Sequence, residues 1–221
     1  MSASVKELSF DDNSLASAQV DRFKGTKDVT DRIAFVHLNS NNKPVIKSAQ
    51  VVYIDGAGYC IANEATEKLG YTNSSQRYVA IVAHYLTDRT GKLKTPFTEN
   101  SVNLKYYIFS KAKAERLSAI NTEFPLGDHD LLAKCTDAVY QKIDFTPCKE
   151  AAWKLKPEIK KIVEDQVQIL AKNMDRELGR AWSVEELKAK LGQASESADS
   201  EGSAPSATAQ TAAADDILAS L

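Results

Sequence analysis

Between Asp31 and Phe109 the chain is a succession of five short runs dense in β-branched and aromatic residues, and this pattern limits the fold more than any other feature. The runs are 31–38 (DRIAFVHL), 45–54 (VIKSAQVVYI), 58–62 (GYCIA), 77–87 (RYVAIVAHYLT) and 101–109 (SVNLKYYIF). Between them, SNNKP, DGAG and TDRTGK supply residues that tolerate tight turns and positive φ. After the third run, NEATEKLG opens on an Asn cap candidate and closes at Gly70, which predicts a short helix inserted among strands. With 221 residues, 43% of them hydrophobic, the chain has enough apolar material for a real core, which excludes wholesale disorder.

From Ser110 the period changes. Residues 111–122 are helix formers without a breaker, Pro125 and Gly127 interrupt, and 128–141 fits a strand followed by a helix that buries Leu131, Leu132, Cys135, Val139 and Tyr140. Over 157–173, Pro157 suits a first turn, and Ile159, Ile162, Val163, Gln166, Val167 and Leu170 form one stripe. Ser183 and Glu186 have the spacing of a capping box, Leu187 and Leu191 supply an apolar edge, and Gly192 marks the expected end. The resulting expectation is an α+β protein. An N-terminal arm (1–20) precedes an OB-like small β-barrel (21–110), and a helical region packs on the barrel (111–192). A disordered linker with an acidic, aliphatic tip (193–221) completes it. Other small barrels fit the strand count almost as well.

The net charge of −2 conceals a division. Residues 193–221 carry Glu196, Asp199, Glu201, Asp215 and Asp216 and no Lys or Arg, which leaves the remainder at +3. Within residues 20–109 there are twelve basic and eight acidic side chains, so the basic surplus lies at the opposite end from the acidic tail. The chain has no apolar run of the roughly 18 to 20 residues that a bilayer requires, and its first residues lack a basic start followed by an apolar run. Cys60, Cys135 and Cys148 are odd in number and widely spaced, which predicts reduced thiols and a cytoplasmic protein without a membrane partner.

No Walker A sequence, dinucleotide fingerprint, nucleophile elbow or His-Glu-x-x-His is present, and DGAG at 55–58 suits a hairpin turn better than a phosphate loop. The histidines and cysteines lack the paired spacing of a zinc site, so neither a metal nor a cofactor is assigned. Cys148 beside Pro147 has no identified base, and His129 between Asp128 and Asp130 fits a solvated loop. The expectation is a protein without catalytic residues. An enzyme built around Cys148 and His129 remains a lesser alternative.

The strand region does combine cations with aromatic rings, the two ingredients by which single-stranded nucleic acid is held. Candidate binding residues are Arg22, Phe23, Lys24, Lys27, Arg32, Phe35, Lys47, Tyr53, Arg77, Tyr78, Tyr85, Arg89, Lys92, Lys94, Lys105 and Tyr107. In the run 101–109, Val102, Leu104, Tyr106 and Ile108 share one face and Asn103, Lys105, Tyr107 and Phe109 the other, the second suited to a backbone and a base. Tyrosines are also ordinary strand residues, and a Lys-Tyr alternation is an ordinary solvated face.

With its strand domain (DRIAFV, RYVAIVAHYL), the helices after it and the low-complexity linker ending in DDILASL, the chain resembles the single-stranded DNA-binding proteins of bacteriophages and bacteria. The resemblance implies nonspecific binding and protection of single-stranded DNA in replication, recombination or repair, in the host cytoplasm if the protein is phage-encoded. It also implies that Asp215, Asp216, Ile217, Leu218 and Leu221 dock replication or recombination proteins. The tip ends in Leu where the bacterial form has Pro-Phe, and it is closer to acidic, aliphatic phage ends. A protein-interaction or virion-assembly module that ignores nucleic acid is the competing expectation.

Overall fold

The computed structural model describes residues 22–136 and 142–198. The N-terminal arm, Val139, Tyr140 and the acidic tip lie outside the described residues. The fold is mixed α+β, with seven strands in one antiparallel sheet and several helices.

All five expected strands form: β1 (Thr30–Phe35), β2 (Lys47–Ile54), β3 (Gly58–Ile61), β4 (Ser75–Tyr85) and β5 (Val102–Ser110). DGAG is the turn between β2 and β3, with Gly56 and Gly58 at positive φ. The inserted helix is α1 (Glu64–Lys68), where Asn63 accepts from the Ala65 and Thr66 amides and Thr66 completes a reciprocal cap. Helix α2 (Lys111–Glu123) follows β5 directly and seats Leu117, with Ala114 and Ile120 beside it, against the sheet.

Beyond residue 110 the chain returns to the sheet, so the expected boundary there cuts through one structural layer. Strand β6 (Leu131–Cys135) pairs with the free edge of β1, and β7 (Ile143–Pro147), not anticipated from the sequence, pairs with β6. The order is β3-β2-β4-β1-β6-β7, with β5 on the other edge of β4. Among the described residues the strand ladder does not close: β3, β5 and β7 each pair with one other strand only, and beyond the strands Arg180 bridges to Cys60 of β3 and Arg22 to Tyr106 of β5. Residues 22–28 span the interval between β5 and β6, since the Phe23 amide donates to the Tyr106 carbonyl (2.8 Å) and the Asp28 amide to that of Cys135 (3.0 Å).

The sheet is covered on both faces, which explains why Val79 to Ala83 of β4 are all buried. On one side Val79, Ile81, Tyr85 and Tyr106 meet Trp153, α3 (Pro157–Ala171) and α4 (Met174–Leu178). On the other, Ala80, Val82, Tyr107 and Phe109 meet Phe23, Leu117 and the inner faces of β6 and β7. In α3 the buried stripe is Ile159, Val163 and Val167, while Gln166 turns to solvent. Helix α5 (Val184–Ala198) runs on past Gly192, so the expected linker begins inside a helix. Its cap forms as the spacing predicted, with the Glu186 amide donating to Ser183 Oγ (3.2 Å) and the Ser183 amide to Glu186 Oε2 (2.9 Å).

A buried polar cluster joins the two halves. Asp130, fully buried, accepts from Arg32 Nε (2.7 Å), Tyr85 Oη (2.9 Å) and the Ala152 amide (3.1 Å), and the Trp153 amide donates to Tyr85 Oη (3.2 Å). Burial pushes the Asp130 carboxyl up from its ordinary range, against the pull of Arg32 and the two donors. Removing one member therefore orphans the others. Tyr85→Phe is expected to cost about 1–3 kcal/mol and Arg32→Ala about 3–5 kcal/mol in urea denaturation, with equal losses of a few tenths counting against this role.

Candidate nucleic-acid interface

The expected site residues separate into three groups. Phe23, Phe35, Tyr85 and Tyr107 are at most 4% exposed, so the stacking role expected of them is corrected: both sheet faces are covered, and these rings build the cores. The alternation in β5 is as predicted, but its second face, with Tyr107 and Phe109, packs on Phe23 and Leu117. Tyr78 is half-buried and stacks on Phe109 with centroids 5.6 Å apart. Arg32 is spent on Asp130, and Lys47 pairs with Asp175 at 2.8 Å.

The second group lies at one end of the molecule. Arg89, Lys92 and Lys94 are exposed on the loop after β4, whose Arg89 carbonyl accepts from the Thr30 amide (3.1 Å). Eight residues of extended strand separate Tyr85 from Arg77, about 26 Å, so this loop and Arg77 serve different surfaces. Lys27 is exposed in the turn before β1, and Lys105 is half-buried on β5.

The third group converges. A cleft of about 670 Å³ opens where β4 begins and β5 gives way to α2. Arg22, Lys24, Arg77 and Lys113 line it, together with Tyr59, Ser75, Gln76 and Ser110, and no carboxylate among the described residues does. Its floor is apolar, from Phe23, Val51, Phe109 and Ile143. Gly25 belongs to the wall because a Cβ there would lie 3.0 Å from the Cβ of Cys135, so a larger residue would push residues 22–25 out of place.

The Arg77 guanidinium carbon lies over the Tyr59 ring, 3.8 Å from its centroid, and Tyr53 meets Tyr59 edge-on at 5.2 Å. Tyr53 is 62% exposed and Tyr59 47%, which makes them the large aromatic rings that β2 and β3 offer to solvent. Burial lowers the Arg77 guanidinium's pKa from its ordinary value; Tyr59 opposes that, Arg22 adds to it, and Glu177 opposes it. Two like charges facing one cleft favour an anion between them. The sequence reading named Arg22, Lys24, Arg77 and Tyr53 but missed Tyr59 as a site residue and Lys113, the latter because it stands on a helix rather than a strand.

The other chemical candidates have local partners. His129 Nδ1 is 2.8 Å from the Cys148 carbonyl oxygen, and its ring meets Phe124 edge-on. Burial pushes the Cys148 thiol up, away from the thiolate that a nucleophile needs. Among the described residues no group of three or more His, Cys, Asp or Glu gathers as a metal site would require, and no helix is long and apolar enough to cross a membrane.

No known protein family matches this chain, and no curated protein matches it. The exposed and buried tyrosines can be told apart directly. Tyr53→Ala should change stability by no more than about 0.5 kcal/mol, whereas Tyr107→Ala should cost about 3–5 kcal/mol, both read from chemical denaturation; comparable losses would contradict the assignment of surface and core.

Proposed function

We propose that the protein binds single-stranded DNA without sequence specificity and without catalysis, protecting it during replication, recombination or repair. The reading rests on one observation: four cations and Tyr59, whose ring Tyr53 touches, meet at an apolar-floored cleft that no carboxylate among the described residues lines. Phosphates need separated positive charges along a path, and bases need exposed flat rings beside it. The footprint supported by this geometry is Arg22, Lys24, Arg77, Lys113, Tyr53 and Tyr59, narrower than the expected set and displaced toward the start of β4.

The proposal extends to an OB-like reading of the fold, supported by the curl of β5-β4-β1-β6-β7 around the second core with residues 22–28 across its mouth. It also extends to the tip, where Asp215, Asp216, Ile217, Leu218 and Leu221 would recruit replication or recombination proteins, as the resemblance to phage and bacterial proteins implies.

Fluorescence anisotropy with labelled single-stranded DNA, single-stranded RNA and duplex DNA tests the reading. Single strands should bind, more weakly as salt rises. Arg77→Ala should weaken binding and flatten the logarithmic salt dependence by about 0.7. Tyr59→Ala should cost about 1–3 kcal/mol, while Arg89→Ala with Lys92→Ala should change little. Indifference to all three nucleic acids at physiological salt would overturn the proposal in favour of a protein-interaction module.

A further inference from the structure

An acidic residue that pairs with a cleft cation comes from α4, a five-residue helix not anticipated from the sequence. Met174 and Leu178 anchor it in the core, and between them Asp175 and Glu177 reach outward to Lys47 and Arg22. Glu177 Oε2 accepts from Arg22 Nε at 2.7 Å, and the carboxylate side chain is 15% exposed against 48% for the arginine. The acid is thus the more enclosed partner and the arginine the more exposed one. Arg77 donates to the carbonyl of Leu178 at 3.5 Å, one residue further along, so both cleft arginines converge on the end of α4.

A carboxylate and a phosphate offer the same paired oxygens to a guanidinium. We infer that Glu177 occupies, in the free protein, the place on Arg22 that a backbone phosphate takes in the complex. Helix α4 thereby sets both the affinity and the salt sensitivity of the cleft. The inference rests on the nucleic-acid reading given above. In the free protein Arg22 is already paired, so a phosphate that takes it must break the Glu177 contact and leave that carboxylate to gather a cation, which offsets one of the cations the nucleic acid releases.

The test is anisotropy titration of an oligothymidylate between 50 and 300 mM NaCl, roughly the range over which counterion release is resolved, with wild type and Glu177→Gln, thermal melting confirming that each variant is folded. The variant should bind about five- to tenfold tighter at the lowest salt, with a logarithmic slope steeper by up to about 0.7, because no freed carboxylate then recaptures a cation. Asp175→Asn removes the same charge from the same helix, but its partner Lys47 does not line the cleft, and its gain should stay below about twofold by the weakness of screened surface charges. In an Arg22→Ala background the gain from Glu177→Gln should fall below about twofold, the remainder coming from the charge of Glu177 near Arg77. Equal affinity and slope in wild type and Glu177→Gln would overturn the exchange, as would a gain that persists in full without Arg22 or that Asp175→Asn reproduces. Those results leave the nucleic-acid reading standing, whereas failure of the wild type itself to bind the oligonucleotide would remove that reading and this inference with it.

Discussion

Strand β4 is hydrogen-bonded along both edges, and the division of one edge between two partners organises the rest of the molecule. Its first half takes β2, from Ser75 to Val79, and its second half takes β1, from Val82 to His84, while β5 covers the opposite edge from Arg77 to Tyr85. Because β2 and β1 leave the same edge in succession, the β2–β3 hairpin and the β1-β6-β7 ribbon diverge from a common axis. Each face of β4 then needs its own cover, which α3 and α4 supply on one side and α2, β6 and β7 on the other. The cleft follows from this geometry, since it lies where β5 ends, the hairpin diverges and residues 22–25 cross the gap.

Joining the second half of the chain to this axis requires the Asp130 cluster. A carboxylate without solvent access is tolerable only when its oxygens are occupied, and three donors do so from β1, β4 and the turn preceding α3. The same cluster withdraws Arg32 and Tyr85 from the surface. Charge and aromaticity that looked available for a ligand are thus consumed by folding at these two residues.

What was legible in the sequence is what depends on near neighbours. Asn63, Pro157 and Ser183 mark helix starts because capping involves residues within four positions, and the five strand runs are bounded by turn residues whose conformation is set locally. Tyr53 and Tyr107 illustrate the limit. Both occupy alternating strands, and only the distant chain that covers Tyr107 separates a core ring from a surface one. Arg32 and Asp130 are 98 residues apart, so nothing local announces their pairing. Of the site, Arg22, Lys24, Arg77 and Tyr53 were readable as cations and rings near strands, but their union with Lys113 and the opposition of Glu177 arise from tertiary packing alone.

Single-stranded nucleic acid is proposed to enter at the start of β4 rather than at the loop beyond its other end. Ultraviolet cross-linking of the wild-type protein to an oligothymidylate, followed by mass-spectrometric mapping of the joined peptides, locates the strand without any substitution. Cross-links to Tyr53 or Tyr59 and to the peptide containing Arg22 and Lys24 are the predicted result. Adducts confined to residues 86–94, or none at salt concentrations where binding is measurable, would contradict it.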